Sequence, residues 1–511
     1  MMTQAVLNDK RAAIPRGNYI NGKFRVPRHA DGAIEKRNPA NLDDVVGAFS
    51  FSRVAADEAI LAAREAQRAW AARSLEDRIN AIRKVRAAVV NRREDLAAAI
   101  TREVGKPLWE ARREVESMAG RLNVVVDAGL RDVADFVPAG VRGGCRYRPL
   151  GVIGVICPFN FPALLAHGFV VPALVTGNTV VFKPSDVTPL VGQVYAEIID
   201  DANLPKGVFN MVQGGGDIGA RLAASPRVDG IFFTGSVATG RAIEAVCATQ
   251  PGKMLVLEMG GKNASVVLDD ADIDLAVHEC LIGGYITSGQ RCTASSRVVV
   301  TRKVADEFVK RFMERAKAIR VGDPRAADTF MGPLASEAIA ERFLGRVALG
   351  RKEGAVALID GGRFDARAKG NFVAPSVHEV VARSGSSAYQ SDELFGPDVA
   401  IYRAKNIDAA IEIANDTPFG LVASVFTKSE KSYRAVANEV RAGLINWNRP
   451  TVGADARLPF GGAGASGNHR AVGLHAIRWC VTPVSHLEEP VGNVEKWPGL
   501  GPAPKTPYEP D

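Results

Sequence analysis

The sequence predicts an α/β protein built from two doubly wound lobes in tandem, and three observations carry that expectation. The chain has 511 residues, too many for one hydrophobic core, so two or three domains are expected. From residue 150, short apolar runs at 151–156, 179–182, 208–212, 231–233 and 255–257 alternate with helix-like stretches. A second alternation starts at 264–268 and continues through 298–301, 399–402 and 422–426. Strands alternating with helices mark a parallel sheet, and two such series mark two lobes.

The remaining segments follow from local pattern. Residues 52–123 read as helical: Leu75, Ile79, Ile82, Val85 and Val89 recur at three- and four-residue steps and so share one face. Ser74 followed by Asp77 is a helix-start signal. Residues 135–149 read as an extended hairpin and 479–487 as another strand. The tail from Glu489 carries Pro490, Pro498, Pro502, Pro504, Pro507 and Pro510, and an irregular arm is expected there.

Composition narrows the class of function. Hydrophobic residues make up 47% and charged residues 24%, an ordinary globular balance. The net charge of +7 comes from 64 basic and 57 acidic residues mixed along the chain. No basic block marks a nucleic-acid partner. The six cysteines, at 145, 157, 247, 280, 292 and 480, are scattered, which suits a reducing compartment. Lys10, Arg11 and Arg16 are not followed by an apolar run, so no secretory signal is expected. No apolar stretch is long enough for a membrane span. A cytoplasmic enzyme is the expectation. The histidines at 29, 167, 278, 378, 469, 475 and 486 show no ligand spacing, so no metal is expected.

Three short motifs carry chemistry. Ser288-Gly289-Gln290-Arg291-Cys292-Thr293 sets a cysteine among small and polar residues beside a cation. Neighbouring positive charge and backbone N–H groups favour a thiolate, the nucleophilic form. The plain alternative is a small buried hydrophobe. Glu258 ends an apolar run and precedes Gly260-Gly261, so its carboxylate faces either a cleft or a salt-bridge partner. Asn160 is framed by Phe159, Phe161, Pro158 and Pro162, a rigid setting for an oxyanion donor or simply a turn.

Gly235-Ser236-Val237-Ala238-Thr239-Gly240 leads from an apolar run into an expected helix through 241–246. A glycine turn from strand to helix N-terminus suits a pyrophosphate. It differs from the usual G-x-G-x-x-G fingerprint. An NTPase loop ending at Gly261-Lys262 is excluded, because Val256 stands where that loop needs glycine.

These motifs, in this order, resemble the aldehyde dehydrogenase superfamily from about residue 18 to 490. The matches are Gly-Lys-Pro at 105–107, Pro-Phe-Asn-Phe-Pro at 158–162, Lys-Pro-Ser-Asp at 183–186, Phe-Thr-Gly-Ser at 233–236 and Glu-Met-Gly-Gly-Lys at 258–262. They continue with Gly-Gln-Arg-Cys at 289–292, Glu-Leu-Phe-Gly-Pro at 393–397, Asn-Asp-Thr-Pro-Phe-Gly-Leu at 415–421 and Pro-Phe-Gly-Gly at 459–462.

The resemblance implies a Rossmann-like cofactor domain over 1–134 and 150–257. It implies a catalytic α/β domain over 258–445, a return segment lining the site over 446–478, and an irregular tail over 491–511. A small β arm, 135–149 with 479–490, would pair with a neighbouring subunit in a homodimer or homotetramer. Cys292 would attack an aldehyde, Asn160 and the Cys292 N–H would bind the oxyanion, and Glu258 would be the general base. Lys183, Ser185, Asp186, the 235–240 turn, Glu393 and Phe395 would hold the cofactor. The Asp186 carboxylate would repel a 2′-phosphate, so NAD rather than NADP is expected.

Residues 443–450 and 464–470, Phe159 and the ending Trp479-Cys480-Val481 resemble the branch that oxidises N-succinylglutamate 5-semialdehyde in arginine catabolism. The stretch 293–297 departs from that branch, so another semialdehyde or a general aldehyde is the alternative. An anionic substrate needs cations, and Arg291, Arg449, Arg470 and His469 are the candidates. An acylating relative that passes its thioester to coenzyme A is disfavoured by Glu258. A non-catalytic binding or structural protein is disfavoured by the joint presence of Cys292, Glu258 and Asn160.

Overall fold

The computed structural model describes residues 14–366, 369–491 and 497–499. The expected tail over 491–511 therefore falls almost wholly outside the described residues. Two seven-stranded sheets organise the rest.

The first sheet runs, edge to edge, Met254–Glu258, Gly230–Thr234, Val152–Ile156, Thr179–Lys183, Phe209–Met211, Asn18–Ile20 and Lys23–Arg25. Its first five strands are parallel. Val152–Ile156, Thr179–Lys183 and Gly230–Thr234 are buried at every residue. Burial on both faces explains why they read as unbroken apolar runs. Chain order reverses between Val152–Ile156 and Gly230–Thr234. In doubly wound sheets such a reversal opens a crevice at the carboxyl ends of the strands.

The second sheet runs Val356–Ile359, Ser376–Glu379, Asp398–Ala404, Ser295–Thr301, Asn263–Val267, Val422–Phe426 and Leu444–Trp447. It is parallel except for its first strand. The chain crosses from the first sheet to the second through only Met259–Lys262 (residues 259–262), between Glu258 and Asn263.

The expected helical stretch is four helices, Arg53–Ala71, Leu75–Asn91, Arg93–Val104 and Leu108–Asp127. The Ser74 hydroxyl accepts the Asp77 N–H at 3.1 Å and caps the second of them. Ile79, Ile82, Val85 and Val89 are buried as expected, but Leu75, in the first turn, is exposed because it lies beyond the rim of the core.

The arm differs from expectation in one respect. Within 135–149 only Phe136 and Cys145 pair, and Gly143–Pro149 forms its ladder with Val481–Leu487 of the same chain. Trp479 and Cys480 belong to a 3-10 turn, Leu474–Cys480, that precedes that strand. A pairing between segments more than three hundred residues apart leaves no local pattern to read. Among the described residues no helix is long and apolar enough to cross a membrane.

Candidate active site

The expected residues converge where the two sheets meet. Asn160 lies just past the carboxyl end of Val152–Ile156, Lys183 ends its strand, the 235–240 turn follows Gly230–Thr234, and Glu258 ends Met254–Glu258. The second sheet contributes its amino ends: Cys292 precedes Ser295–Thr301, Glu393 and Phe395 precede Asp398–Ala404, and Gly261 precedes Asn263–Val267. One sheet thus offers strand ends facing the strand beginnings of the other.

Glycines bring the two together. A Cβ on Gly260 would collide with the Glu393 carboxylate, and one on Gly261 would lie 2.5 Å from the Cys292 carbonyl oxygen. Only a residue without a side chain permits these approaches. The Gly261 N–H donates to Glu393 Oε1 at 3.1 Å, and Asn263 Nδ2 donates to the Cys292 carbonyl at 2.7 Å. The buried Lys262 ammonium donates to the carbonyls of Tyr389 and Asp392, both at 2.7 Å, and so fixes the turn that carries Glu393. Phe395 has φ +57° and meets Phe159 edge to face at 5.7 Å.

All six cysteines lie in the described residues. Five are buried, and Cys292 alone keeps partial exposure. Burial, then the facing carboxylates of Glu393 and Glu258, push its thiol up to about 12, against the smaller opposite pulls of Arg291 and the Thr293 N–H. These surroundings oppose the thiolate that the neighbouring cation was expected to favour. Burial is the main reason, and the opposing pull of Arg291 is small because its guanidinium donates to Glu110 at 2.8 Å and to Thr287 at 2.7 Å. Glu110 also binds the Thr287 hydroxyl.

Glu258 is buried, and burial raises its carboxyl well above the usual range, opposed by the Ala471 N–H and Arg470. That N–H donates to Glu258 Oε1 at 3.2 Å. The Asn160 amide donates one hydrogen to the Gln290 carbonyl at 2.9 Å, which aims the side chain toward the Cys292 loop. Among the described residues the Cys292 N–H donates to no acceptor. Cys292, the Glu258 carboxyl whose charge it feels and the Asn160 amide held on the Cys292 loop are therefore brought to the junction of the two sheets.

The cofactor candidates form a second group. Ser236 caps the helix Val237–Cys247 by accepting the Thr239 N–H at 3.2 Å, so the helix starts earlier than expected and Val237, Ala238 and Gly240 lie in its first turns. Lys183 Nζ donates to the carbonyls of Pro184 at 2.8 Å and Gly214 at 2.9 Å. Asp186 is exposed; the neighbouring helix Pro189–Asp201 is capped at Thr188, so Asp186 is not its cap. Ser185 is buried and its hydroxyl lies 3.3 Å from Asp186 Oδ1. A second helix start, Gly215-Gly216, stands beside this carboxylate, and a Cβ at Gly216 would meet open space. An ammonium, an exposed carboxylate and two helix N-termini are the groups a dinucleotide's ribose and pyrophosphate need.

The expected substrate cations are not equivalent. Arg291 is committed to Glu110 and Thr287, so the expectation that it offers a free guanidinium to substrate is corrected. Arg470 Nη1 donates to the Gly462 carbonyl at 2.6 Å. The exposed His469 packs on Trp479 at 4.6 Å. Arg449 is exposed, and among the described residues its guanidinium makes no hydrogen bond. His469 and Arg470 both have positive φ, as do Thr287, Ser288, Phe395 and Asn448. Such backbone costs energy and gathers where the surroundings enforce it.

The sequence alone did not single out Asn468. Its amide accepts from Leu257 N at 2.8 Å and donates to Leu255 O at 3.0 Å, standing in for a partner strand on the free edge of Met254–Glu258. Together with Ala471 it holds the return segment against the base.

The aldehyde dehydrogenase family model matches residues 26–483, and the chain belongs to that family. It is 39% identical over 479 residues to N-succinylglutamate 5-semialdehyde dehydrogenase of Pseudomonas fluorescens (strain Pf0-1), covering 92% of this chain and 96% of that one. The protein of the same name from Paraburkholderia xenovorans (strain LB400) is 40% identical over 460 residues, covering 89% and 93%. Among solved structures, the NAD-dependent aldehyde dehydrogenase from Sinorhizobium meliloti matches with TM-score 0.90 and 31% identity, covering 96% of this chain and 98% of that one. A mutant of aldehyde dehydrogenase C from Pseudomonas syringae, complexed with NAD+ and octanal, matches with TM-score 0.87 and 33% identity, covering 92% and 96%.

Proposed function

We propose that this enzyme oxidises N-succinyl-L-glutamate 5-semialdehyde to N-succinylglutamate with NAD, by covalent catalysis at Cys292. The observation that carries the chemistry is the meeting of Cys292, Glu258 and Asn160 at the junction of the sheets. The substrate rests on the two relatives of about 40% identity over most of the chain.

The steps follow from the residues. The Cys292 thiol gives its proton to Glu258 or to solvent, and sulfur bonds to the aldehyde carbon. The resulting oxyanion is held by Asn160 Nδ2 and the Cys292 N–H. Collapse of that oxyanion expels hydride and leaves a thioester on Cys292. The bound nicotinamide cofactor supplies the hydride acceptor. Glu258, once free of any proton it has taken, which passes to solvent, accepts a proton from water, which attacks the thioester carbon; the C–S bond breaks, the carboxylate leaves and Cys292 is regenerated.

In this reading residues 1–134 and 150–257 form the cofactor domain, 258–445 the catalytic domain and 446–478 the segment closing the site. Lys183, Ser185, Asp186, the 235–240 turn, Glu393 and Phe395 hold the cofactor. The two-stranded arm exposes Phe136, Val137 and Leu487, an apolar edge suited to a second subunit in a homodimer or homotetramer.

Steady-state kinetics on a panel of semialdehydes tests the substrate. N-succinylglutamate semialdehyde is expected to give the highest kcat/KM, at least about tenfold above succinate semialdehyde, glutamate semialdehyde and pentanal. A higher value for pentanal contradicts the reading. NAD is expected to be preferred over NADP, and Asp186→Ser to shrink that preference by about tenfold, as removal of one like-charge repulsion predicts. A wild-type preference for NADP overturns the role of Asp186.

A further inference from the structure

The helix Leu108–Asp127 runs along the site and presents Glu110, Glu114, Met118 and Arg121 at three- and four-residue steps, on one face. Glu110 holds Thr287 and Arg291, just ahead of the nucleophile. Glu114 accepts from Lys106 Nζ at 2.6 Å and from the N–H groups of Ala163 at 3.3 Å and Leu164 at 3.2 Å, just after Asn160. Two turns further stands Arg121.

Its Nη1 is sealed from solvent and has no hydrogen-bond partner. The residue as a whole keeps partial exposure. Nη1 lies 2.6 Å from the position a Cβ on Gly168 would take, with a Val472 methyl 3.7 Å from that position. Gly168 belongs to the helix Leu164–Val175 that follows Asn160, and Val472 is next to Ala471, which holds the base. The guanidinium therefore fills space between the oxyanion-side helix and the segment behind Glu258.

Charge within this group does not balance. Lys106, Arg121 and Arg291 bring three positive charges against two from Glu110 and Glu114. Lys106 and Arg291 have ion-pair partners, and the oxygens of Glu114 are engaged by other donors. Arg121 forms no ion pair among the described residues; it feels only the attraction of Glu114, whose oxygens already serve other donors. Burial lowers it to about 10, so it stays charged at neutral pH. The adjacent His167 is held down to about 3 by burial and by Arg121, so it stays neutral and adds no further positive charge. A buried cation with an unmet donor is costly unless an anion arrives to meet it.

We propose that Arg121 anchors a carboxylate of the substrate, selecting semialdehydes that carry an anionic group away from the reacting carbon. This rests on the substrate class proposed above. Gly168 is the companion feature: its missing side chain is what lets the guanidinium lie there.

The test compares wild type, Arg121→Gln and Gly168→Ala on N-succinylglutamate semialdehyde, succinate semialdehyde and pentanal. For Arg121→Gln the KM for the anionic substrates is expected to rise about 30-fold with kcat little altered, the scale of a lost charge-assisted hydrogen bond. The ratio of kcat/KM, anionic over pentanal, falls correspondingly. Gly168→Ala, which displaces the guanidinium but keeps its charge, is expected to move the same ratio by about fivefold. Equal losses on pentanal and the anionic substrates, or no change in the ratio, overturn the proposal. If Arg121→Gln does not fold, Gly168→Ala decides by the same ratio. Should wild type prefer another anionic semialdehyde, and Arg121→Gln abolish that preference, the anchor stands and the named substrate falls. A wild type with no preference for any anionic aldehyde removes the anchor.

Discussion

Cys292→Ala is expected to lower kcat/KM at least about a thousandfold, because it deletes the atom that forms the covalent bond. Of the six thiols only Cys292 keeps exposure, so no neighbour can replace it. Thermal stability should change little, since the side chain is partly exposed and its loop is fixed through backbone contacts to Asn263 and Gly261. Initial rates, with a melting curve as control, check this. Activity within about tenfold of wild type would place the nucleophile elsewhere. Burial raises the Cys292 thiol to about 12 and lifts the Glu258 carboxyl well above its usual range. The wild-type kcat/KM is therefore expected to rise with pH through the neutral and mildly alkaline range, as the ionised forms become populated.

Glu258→Gln separates the two halves of the reaction. The amide keeps the shape of the side chain and the Ala471 contact but cannot take a proton. One equivalent of NADH per site is expected, followed by a stall with acyl-enzyme accumulated and steady turnover down by roughly 10²–10⁴-fold. Rapid-mixing absorbance measures the burst. Undiminished steady turnover would remove Glu258 from the role of base. The same substitution carries a sign for stability. A carboxyl whose folded value is raised holds its proton more tightly when folded, so stability falls as pH rises from the unfolded value toward the folded one. Glu258→Gln, free of that cost, should melt higher than wild type above that window and no higher below it.

Much of this architecture was legible in the chain. The central strands announce themselves because burial on both faces demands apolar residues without interruption, as at Val152–Ile156 and Val422–Phe426. Glu258 and the 235–240 turn were readable as site candidates because each ends or follows such a run, Asn160 because of its aromatic and proline frame, and Lys183 only through the family resemblance. What was hidden depends on distant partners. The strand Asn18–Ile20, which lengthens the first sheet, is only three residues long. Arg291 looked like a free cation until Glu110, 181 residues away, was brought to it. Asn468 acts through backbone groups of Leu255 and Leu257 that lie on a strand edge, and nothing in its own neighbourhood signals an edge. Thr287 and Ser288 take left-handed backbone without glycine, so the sharp bend before the nucleophile had no marker.

The central claim is a covalent thioester at Cys292. Mass spectrometry on Glu258→Gln, quenched in acid after mixing with NAD and N-succinylglutamate semialdehyde, addresses it directly. A single N-succinylglutamyl adduct is expected on the peptide containing Cys292, equal in amount to the NADH formed in the burst. NADH formed with that peptide unmodified, or the adduct found at another residue, would contradict it.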